Sequence, residues 1–389
     1  MKWAKTMDRD RLRKMAITEL QKVQLDIDPD MEVSKLSCGH QQCVEIAKAL
    51  SFEARVVVFD EPTASLSEKE SQTLFGIIKD LRDSGMCIVY ISHRMEEVME
   101  LADRITVFRN GKYIDTVPTE NVTEQKLISM MIGRELDQSR QAAAHIDTSN
   151  AIFSVRDVQV YPNSAPMSFD LYKGEILGFF GLIGAGRTEL ARVLFGIDPI
   201  GAGSLRIHGQ KADIRGPQDA IDAGIALIPE DRKGLGLVLG MSIRDNMLIP
   251  KLRQMKRAIL NESEMHEITS TYIKDLGIVM RDEMQQVKDL SGGNQQKVVI
   301  AKWLAMAPDI LIMDEPTRGI DVGAKREIYA LMRALADSGK SIIMISSETT
   351  EILQVSDRII VMHDGEITGE LAMEQANKNT IMQAAFGGV

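Results

Sequence analysis

Short apolar runs alternate with amphipathic stretches along the first third of this chain. The runs cover residues 56–59, 88–91 and 105–108. Four consecutive apolar residues are typical of a strand that is buried on both faces of a parallel sheet. Before and between the runs, apolar side chains recur at helical spacing, which predicts helices over residues 8–25 and 41–52. Because strands that alternate with helices usually pair in parallel, the pattern predicts an α/β core.

The same pattern returns later in the chain. Apolar runs at residues 310–313, 342–345 and 359–362 follow the first three at a constant spacing (310 − 56 = 254). A gapless repeat over about a hundred residues indicates a duplicated domain. Two polar segments also repeat at this spacing. The first, which we call the signature segment, is Leu36-Ser37-Cys38-Gly39-His40-Gln41-Gln42, and it returns as Leu290-Ser291-Gly292-Gly293-Asn294-Gln295-Gln296. The second is Asp60-Glu61-Pro62-Thr63, and it returns as Asp314-Glu315-Pro316-Thr317.

A glycine-rich loop occurs once. An apolar strand at residues 176–180 leads into Gly181-Leu182-Ile183-Gly184-Ala185-Gly186-Arg187-Thr188, and a helical pattern follows. A strand, a glycine-rich loop and a helix N-terminus together form a cradle for phosphate. The counterpart of Gly181 would lie before Met1 (181 − 254 = −73). We therefore expect a complete domain at residues 151–389 and a linker at residues 138–150. Residues 1–137 are expected to be the C-terminal half of another domain, which is truncated by about one hundred residues (151 − 254 = −103).

Composition removes several function classes. The chain has 44% hydrophobic and 26% charged residues, as soluble globular proteins do, and its net charge of −10 disfavours a nucleic-acid partner. Three cysteines, Cys38, Cys43 and Cys87, have neither disulfide nor zinc spacing. No apolar run approaches the ~20 residues of a membrane helix. A membrane role would therefore come through a partner.

The ordered set of loop, signature segments and paired carboxylates resembles the ATP-binding subunits of ABC transporters over essentially the whole chain. The resemblance implies an α/β fold of the P-loop NTPase, ABC ATPase type, with ATP and Mg²⁺ as cofactors. It also implies head-to-tail pairing of two domains, with ATP between the phosphate loop of one and the Ser-Gly-Gly of the other.

The resemblance also implies residue roles. Two adjacent carboxylates at the end of a buried strand suit a metal and water site, and a loop hydroxyl suits Mg²⁺. The expected metal ligands are Thr188, Asp314 and Asp60. The expected catalytic residues are Glu315 and Glu61, which polarise water, and the switch histidine His93. The expected ATP-binding residues are Gly181, Gly184, Ala185, Gly186, Arg187, Thr188, Glu230, Ser291, Gly292, Gly293, Asn294, Gln295, Ser37 and Gly39.

Three details are similar to monosaccharide importers of the ribose, galactose and xylose type. Arg187 stands where the loop normally carries lysine, and Ser347 stands at the counterpart of His93. Glu230, in Pro-Glu-Asp-Arg-Lys-Gly, replaces the usual glutamine of its loop. The resemblance implies a membrane permease partner, indirectly a sugar-binding protein, and a peripheral place on the cytoplasmic face of the membrane. A homodimer is a further possibility under this resemblance.

Head-to-tail pairing would give two unequal sites. The site with the phosphate loop carries three departures, Arg187, Ser347 and Cys38, whereas the site with Glu61 and His93 lacks its loop. We therefore expect this chain to be a poor ATPase alone. A non-catalytic remnant or fragment is an open alternative, and a soluble twin-domain protein acting on ribosomes or DNA is disfavoured by the short linker. The missing half should also leave the apolar runs at 56–59 and 88–91 partly uncovered.

Overall fold

The chain folds into two compact units, Met1–Asp137 and Gln138–Val389. The computed structural model describes residues 8–387 apart from 24, 53, 64–65, 67, 93, 110, 133–145, 162–163, 183 and 253–260. Among the helices of this described part, none has the length and apolar character needed to cross a bilayer.

The first unit confirms the predicted parallel pairing. Strands β1 (Val56–Asp60) and β2 (Cys87–Ile91) pair in parallel, with Val56 opposite Cys87, whereas β3 (Arg104–Arg109) and β4 (Lys112–Pro118) form an antiparallel hairpin that the apolar runs did not predict. Helix α2 (Cys38–Leu50) begins three residues earlier than predicted because the Ser37 hydroxyl caps it by accepting a hydrogen bond from the His40 N–H. The elements in chain order are α1 (Arg9–Lys22), α2 (Cys38–Leu50), β1 (Val56–Asp60), α3 (Glu68–Asp83), β2 (Cys87–Ile91), α4 (Met95–Leu101), β3 (Arg104–Arg109), β4 (Lys112–Pro118) and α5 (Glu124–Ile132).

The second unit has more strands than the apolar runs predicted. Its elements in chain order are β5 (Ala151–Val158), β6 (Met167–Tyr172), β7 (Ile176–Gly181), α6 (Arg187–Leu194), β8 (Ser204–Ile207), β9 (Gln210–Ala212), α7 (Pro217–Asp222), β10 (Ile225–Ile228), α8 (Ile243–Leu248), α9 (Glu262–Asp275), α10 (Gly292–Leu304), β11 (Ile310–Asp314), α11 (Val322–Asp337), β12 (Ser341–Ser346), α12 (Thr349–Val355), β13 (Arg358–His363), β14 (Glu366–Ala372) and α13 (Lys378–Ala385).

A mixed sheet with the order β10-β11-β12-β7-β13-β14 forms the centre of the second unit. Its first five strands are parallel and β14 is antiparallel. A separate antiparallel sheet, β6-β5-β8-β9, packs with α6 against one face, where Leu177 and Phe179 of β7 share a core with Phe153 and Leu190. Ile176 faces the opposite core with Ile328 of α11. Strand β7 is therefore buried on both faces, and the α/β prediction is confirmed.

The sheet of the first unit is buried on one face only. Among the described residues of this unit, no strand lies between β2 and β3, the place that β7 takes between β12 and β13 in the second unit. The interpretation that residues 56–59 are buried on both faces is therefore wrong, while the expected uncovered face is confirmed. The exposed fractions are 55% for Val56, 59% for Val58, 46% for Val89 and 46% for Ile91, against 0% for Ile310, Ile312 and Ile343 and 1% for Ile345 in the second unit.

This asymmetry predicts unequal effects of a matched pair of substitutions. Ile312→Ala should destabilise the second unit by about 2–5 kcal/mol because it opens a cavity in a close-packed core. Val58→Ala, at the equivalent place, should cost about 0.5 kcal/mol or less because the side chain already faces solvent. Calorimetry of the two variants measures this, and equal shifts of the unfolding midpoints would contradict the exposed face.

Candidate functional site

The glycine-rich loop joins the end of β7 to the start of α6. Gly184 and Gly186 have φ of 87° and 91°, a left-handed conformation that favours glycine. A side chain at Gly181 would lie 2.8 Å from the Cβ of Ala185 and 2.7 Å from the Met362 carbonyl oxygen, so the loop curls tightly. Its glycines thus bring backbone N–H groups and the N-terminus of α6 together, an arrangement that attracts anions.

An aromatic ring that the sequence analysis did not name lies against this loop. The Cε2 atom of Tyr161 would be 3.4 Å from a Cβ at Gly186, and its Cδ2 atom 2.9 Å from one at Gly365. Burial raises the pKa of Tyr161, and the Glu189 carboxylate adds to this rise. Tyr161 precedes β6 and belongs to no repeated pattern, so the sequence offered no signal for it.

The paired carboxylates follow β11 at the same edge of the sheet. Asp314 is 3% exposed, and the next residue, Glu315, has a φ of 46°. The Glu315 N–H donates to the Ile345 carbonyl of β12 at 2.9 Å. A non-glycine residue in the left-handed region is strained, and such strain persists where surrounding contacts enforce it. The first unit repeats this turn: Glu61 has a φ of 45° and its N–H donates to Ile91 at 2.9 Å.

Asp314 and Thr188 suit a magnesium ion. Burial raises the pKa of Asp314, while a hydrogen bond with Thr188 and the charge of Arg187 oppose the rise. The Oδ1 atom of Asp314 is buried without a hydrogen-bond partner. An unpartnered carboxylate oxygen beside a hydroxyl offers the oxygen ligands that Mg²⁺ prefers. Within the described residues no group of three or more His, Cys, Asp or Glu side chains forms a metal cluster.

Arg187 contacts Glu315. Their Nη1 and Oε1 atoms are 3.3 Å apart, and the two side chains are only 10% and 12% exposed. Burial raises the pKa of Glu315, which the charge of Arg187 and a hydrogen bond from Ser347 partly offset. The cation predicted to bind phosphate is thus paired with the carboxylate predicted to polarise water, and Ser347 contacts that same carboxylate.

The second signature segment opens helix α10. Ser291 caps the helix, and its hydroxyl accepts from the Nδ2 of Asn294 at 3.0 Å. A Cβ at Gly292 would lie 3.0 Å from the Gly319 carbonyl oxygen, and one at Gly293 only 2.5 Å from the Cβ of Ala324. Both glycines are therefore required by close packing against the chain that follows β11, in addition to any role in binding.

The segment that contains Glu230 is tied to the signature helix. Glu230 forms an ion pair with Arg318. Arg232 is buried; its Nε donates to Gln295 Oε1 and its Nη1 to the Arg318 carbonyl, both at 3.3 Å. The structure thus places Glu230 beside the chain that follows β11, and its predicted role toward ATP stays a prediction.

In the first unit the predicted residues are placed differently. Asp60 and Glu61 are exposed, and His93 lies outside the described residues. A Cβ at Gly39 would lie 2.6 Å from the Oε1 of Glu70, which stands where the second unit has Ala324. The signature segment of the first unit therefore packs against a carboxylate instead of a methyl group.

Comparison with known proteins identifies the family of the chain. The family model described as "ABC transporter" matches residues 4–64 and 165–318. The chain is 47% identical over 381 residues to a putative ribose/galactose/methyl galactoside import ATP-binding protein of Burkholderia cenocepacia, which covers 97% of this chain and 74% of that protein. It is 48% identical over 378 residues to a xylose import ATP-binding protein of Thermoanaerobacter pseudethanolicus, covering 95% and 75%. The chain thus spans about three quarters of the length of these relatives.

Solved structures agree on the fold. An ATP-binding cassette of an ABC transporter, MJ1267, has a TM-score of 0.53 at 21% identity, and the match covers 60% of this chain and 98% of that one. A dimeric cassette bound to ADP and Pi, MJ0796, has a TM-score of 0.50 at 21% identity, covering 57% and 98%. The family model and the relatives show the family, and these structures show the fold: the chain belongs to the ABC transporter family.

Proposed function

We propose that this chain binds Mg²⁺ and ATP through its second unit and hydrolyses ATP to energise import of a monosaccharide. The observation that carries the proposal is the convergence of Thr188, the unpartnered Oδ1 of Asp314 and the Glu315 carboxylate beside a glycine-rich loop. The import role is supported by relatives that are named ribose, galactose and xylose import proteins.

Each group has a role that follows from its position. The N–H groups of Gly184 to Thr188 hold the phosphates, while Thr188 and Asp314 hold Mg²⁺. Bound Mg²⁺ supplies charge neutralisation on the phosphates. Glu315 orients the attacking water, and the Tyr161 ring, which lies against the loop, is proposed to cover the base. The signature residues Ser291, Gly292, Gly293, Asn294 and Gln295 of the second unit, and Ser37 and Gly39 of the first unit, are each proposed to bind ATP.

Two features predict slow turnover. Arg187 must leave Glu315 before it reaches phosphate, which costs a buried ion pair. Ser347 presents a neutral hydroxyl where a histidine would offer a ring that can carry charge, so it contributes less to binding a developing negative charge. Both features lie in the loop-bearing unit, so its catalysis is proposed to be weak without help from other subunits.

The partners proposed for the chain are a membrane permease and, indirectly, a sugar-binding protein, with a peripheral position on the cytoplasmic face of the membrane. Leu235, Val238 and Met241 support a permease contact, since they are 72%, 48% and 43% exposed and follow the Glu230 segment. The net charge of −10 supports the expectation of no nucleic-acid partner. A homodimer remains part of the proposal, tested by the oligomeric state of the purified chain.

A turnover assay on the purified chain tests the catalytic assignment. We expect turnover below about 1 per second, against a median near 10 for enzymes, and its loss in Glu315→Gln with ATP binding retained. Glu61→Gln is the matched control at the equivalent position. Rapid turnover that only Glu315→Gln abolishes would contradict the proposed weak site. Intact ATP binding with no turnover at all would favour the non-catalytic alternative.

A binding titration tests Arg187 separately. Arg187→Ala should weaken binding of ATP with Mg²⁺ at least about tenfold, because a charge-assisted hydrogen bond to phosphate contributes about 1.5–3 kcal/mol. Arg192→Ala is the control on the same helix, since its guanidinium pairs with Asp198 at 2.6 Å. Calorimetric titration measures both affinities, and equal losses in the two variants would remove Arg187 from the phosphate site.

A further inference from the structure

A buried carboxylate, Glu351, collects four donors behind the site. It is 2% exposed and lies on α12. Its Oε1 accepts from the hydroxyl of Thr317, from Tyr329 at 2.7 Å and from the Lys325 ammonium at 3.3 Å. Its Oε2 accepts from the hydroxyl of Ser346 at 2.7 Å. A charge buried this deeply is tolerated only when hydrogen bonds and a counter-charge satisfy it.

The donors join the two chain segments that carry the reacting groups. Thr317 closes the Asp-Glu-Pro-Thr turn that begins with Asp314 and Glu315. Ser346 is the last residue of β12 and immediately precedes Ser347, and its oxygen also accepts the Glu348 N–H at 3.0 Å. One carboxylate therefore holds the turn with the strained Glu315 against the segment with Ser347.

The first unit contains the same arrangement. Glu97 is 3% exposed and accepts from Thr63 at 2.7 Å, Ser92 at 3.0 Å and Tyr90 at 2.7 Å. Arg94 supplies the cation, with its Nη1 2.7 Å from the Glu97 Oε1. The acid, the threonine and the serine stand at the repeat spacing from their counterparts (351 − 97 = 254).

The tyrosine and the cation, in contrast, come from different positions in the two units. Tyr90 lies on β2 where β12 has Met344, and Tyr329 lies on α11 where α3 has Phe75. The cations have also changed places: Lys325 corresponds to Ser71, and Arg94 to Glu348. The two units thus supply one phenol and one cation to equivalent carboxylates from different positions. An acid without a specific role would not require this compensation, because an apolar group of similar size is often equally stable at a buried ion-pair site.

We propose that Glu351 is a positioning residue that holds Glu315 and Ser347 in register, and that Glu97 does the same for Glu61 in the first unit. Glu351 acts through Thr317 and Ser346 and does not itself touch the nucleotide. This inference rests on the proposed function of the second unit, and it adds a residue that orients the water-polarising carboxylate from behind. It also explains how a left-handed glutamate is maintained at the end of β11.

Hydrogen exchange tests the geometry without nucleotide. Glu351→Gln keeps the size of the side chain but removes its charge. The amides of Glu315, bonded to Ile345, and of Glu348, bonded to Ser346, should then exchange about tenfold faster, while the rest of β11 is unchanged. Glu97→Gln is the matched control and should accelerate only the amides of Glu61 and Arg94. Uniform acceleration across a whole unit, or none, would overturn the proposal.

Two further substitutions, which give the second unit side chains of the first, test the role of Glu351 even if Glu351→Gln folds poorly. Tyr329→Phe, which copies Phe75, should speed exchange at Glu315 by about tenfold. Adding Met344→Tyr, which copies Tyr90, should restore exchange to within about threefold of the parent, because the phenol then reaches Glu351 from the strand. A double variant no better than the single one would overturn the equivalence of the two arrangements.

Steady-state kinetics distinguishes a positioning role of Glu351 from a role in protein stability alone. In Glu351→Gln, kcat per binding-competent chain should fall about tenfold while KM for ATP stays within about twofold, since the residue acts on the carboxylate and not on the phosphates. An unchanged kcat would overturn the positioning role. A parent chain that neither binds nor hydrolyses ATP would instead refute the proposed function, and the exchange experiments would still decide whether Glu351 holds the Glu315 turn.

Discussion

The parallel register of three buried strands decides where the chemistry of the second unit lies. β12 pairs with β11 on one side and with β7 on the other, with Asp314 opposite Ile345 and Ser346 opposite Phe180. Because parallel strands end at the same edge of a sheet, the glycine-rich loop after β7, the paired carboxylates after β11 and Ser347 after β12 must meet there. Complete burial of these strands prevents a slip in register, which would turn their side chains to the opposite face.

Burying polar groups at this edge costs free energy, which hydrogen bonds and ion pairs with neighbouring side chains offset. Arg187 pairs with Glu315, Thr188 supports Asp314, and Glu351 gathers the hydroxyls behind both segments. Among the described groups at this edge, the Oδ1 of Asp314 is buried without a hydrogen-bond partner, which is consistent with a ligand supplied from outside the chain. Order in this region therefore depends on the burial of charge as much as on apolar packing.

Sequence reasoning found the elements that have a period or a repeat. The spacing of 254 residues, the apolar runs and the glycine-rich loop predicted the parallel strands β1, β2, β7, β11, β12 and β13, the loop after β7 and the carboxylates after β11, but not the parallel strand β10. It missed the antiparallel strands β5, β6, β8 and β9, whose half-exposed pattern is weaker, and the hairpin partners β4 and β14. The Tyr161 contact, the pairing of Arg187 with Glu315 and the donors around Glu351 depend on distances between segments far apart in the chain. No local pattern encodes those distances.

In the proposed function, the loop-bearing unit holds one nucleotide through Asp314 and Thr188. Equilibrium dialysis of labelled ATP against the purified chain, with and without Mg²⁺, measures this directly. The account predicts saturable binding of one ATP per chain that weakens at least about tenfold when Mg²⁺ is chelated. Absence of saturable binding, binding of two ATP molecules per chain, or binding indifferent to Mg²⁺ would contradict it.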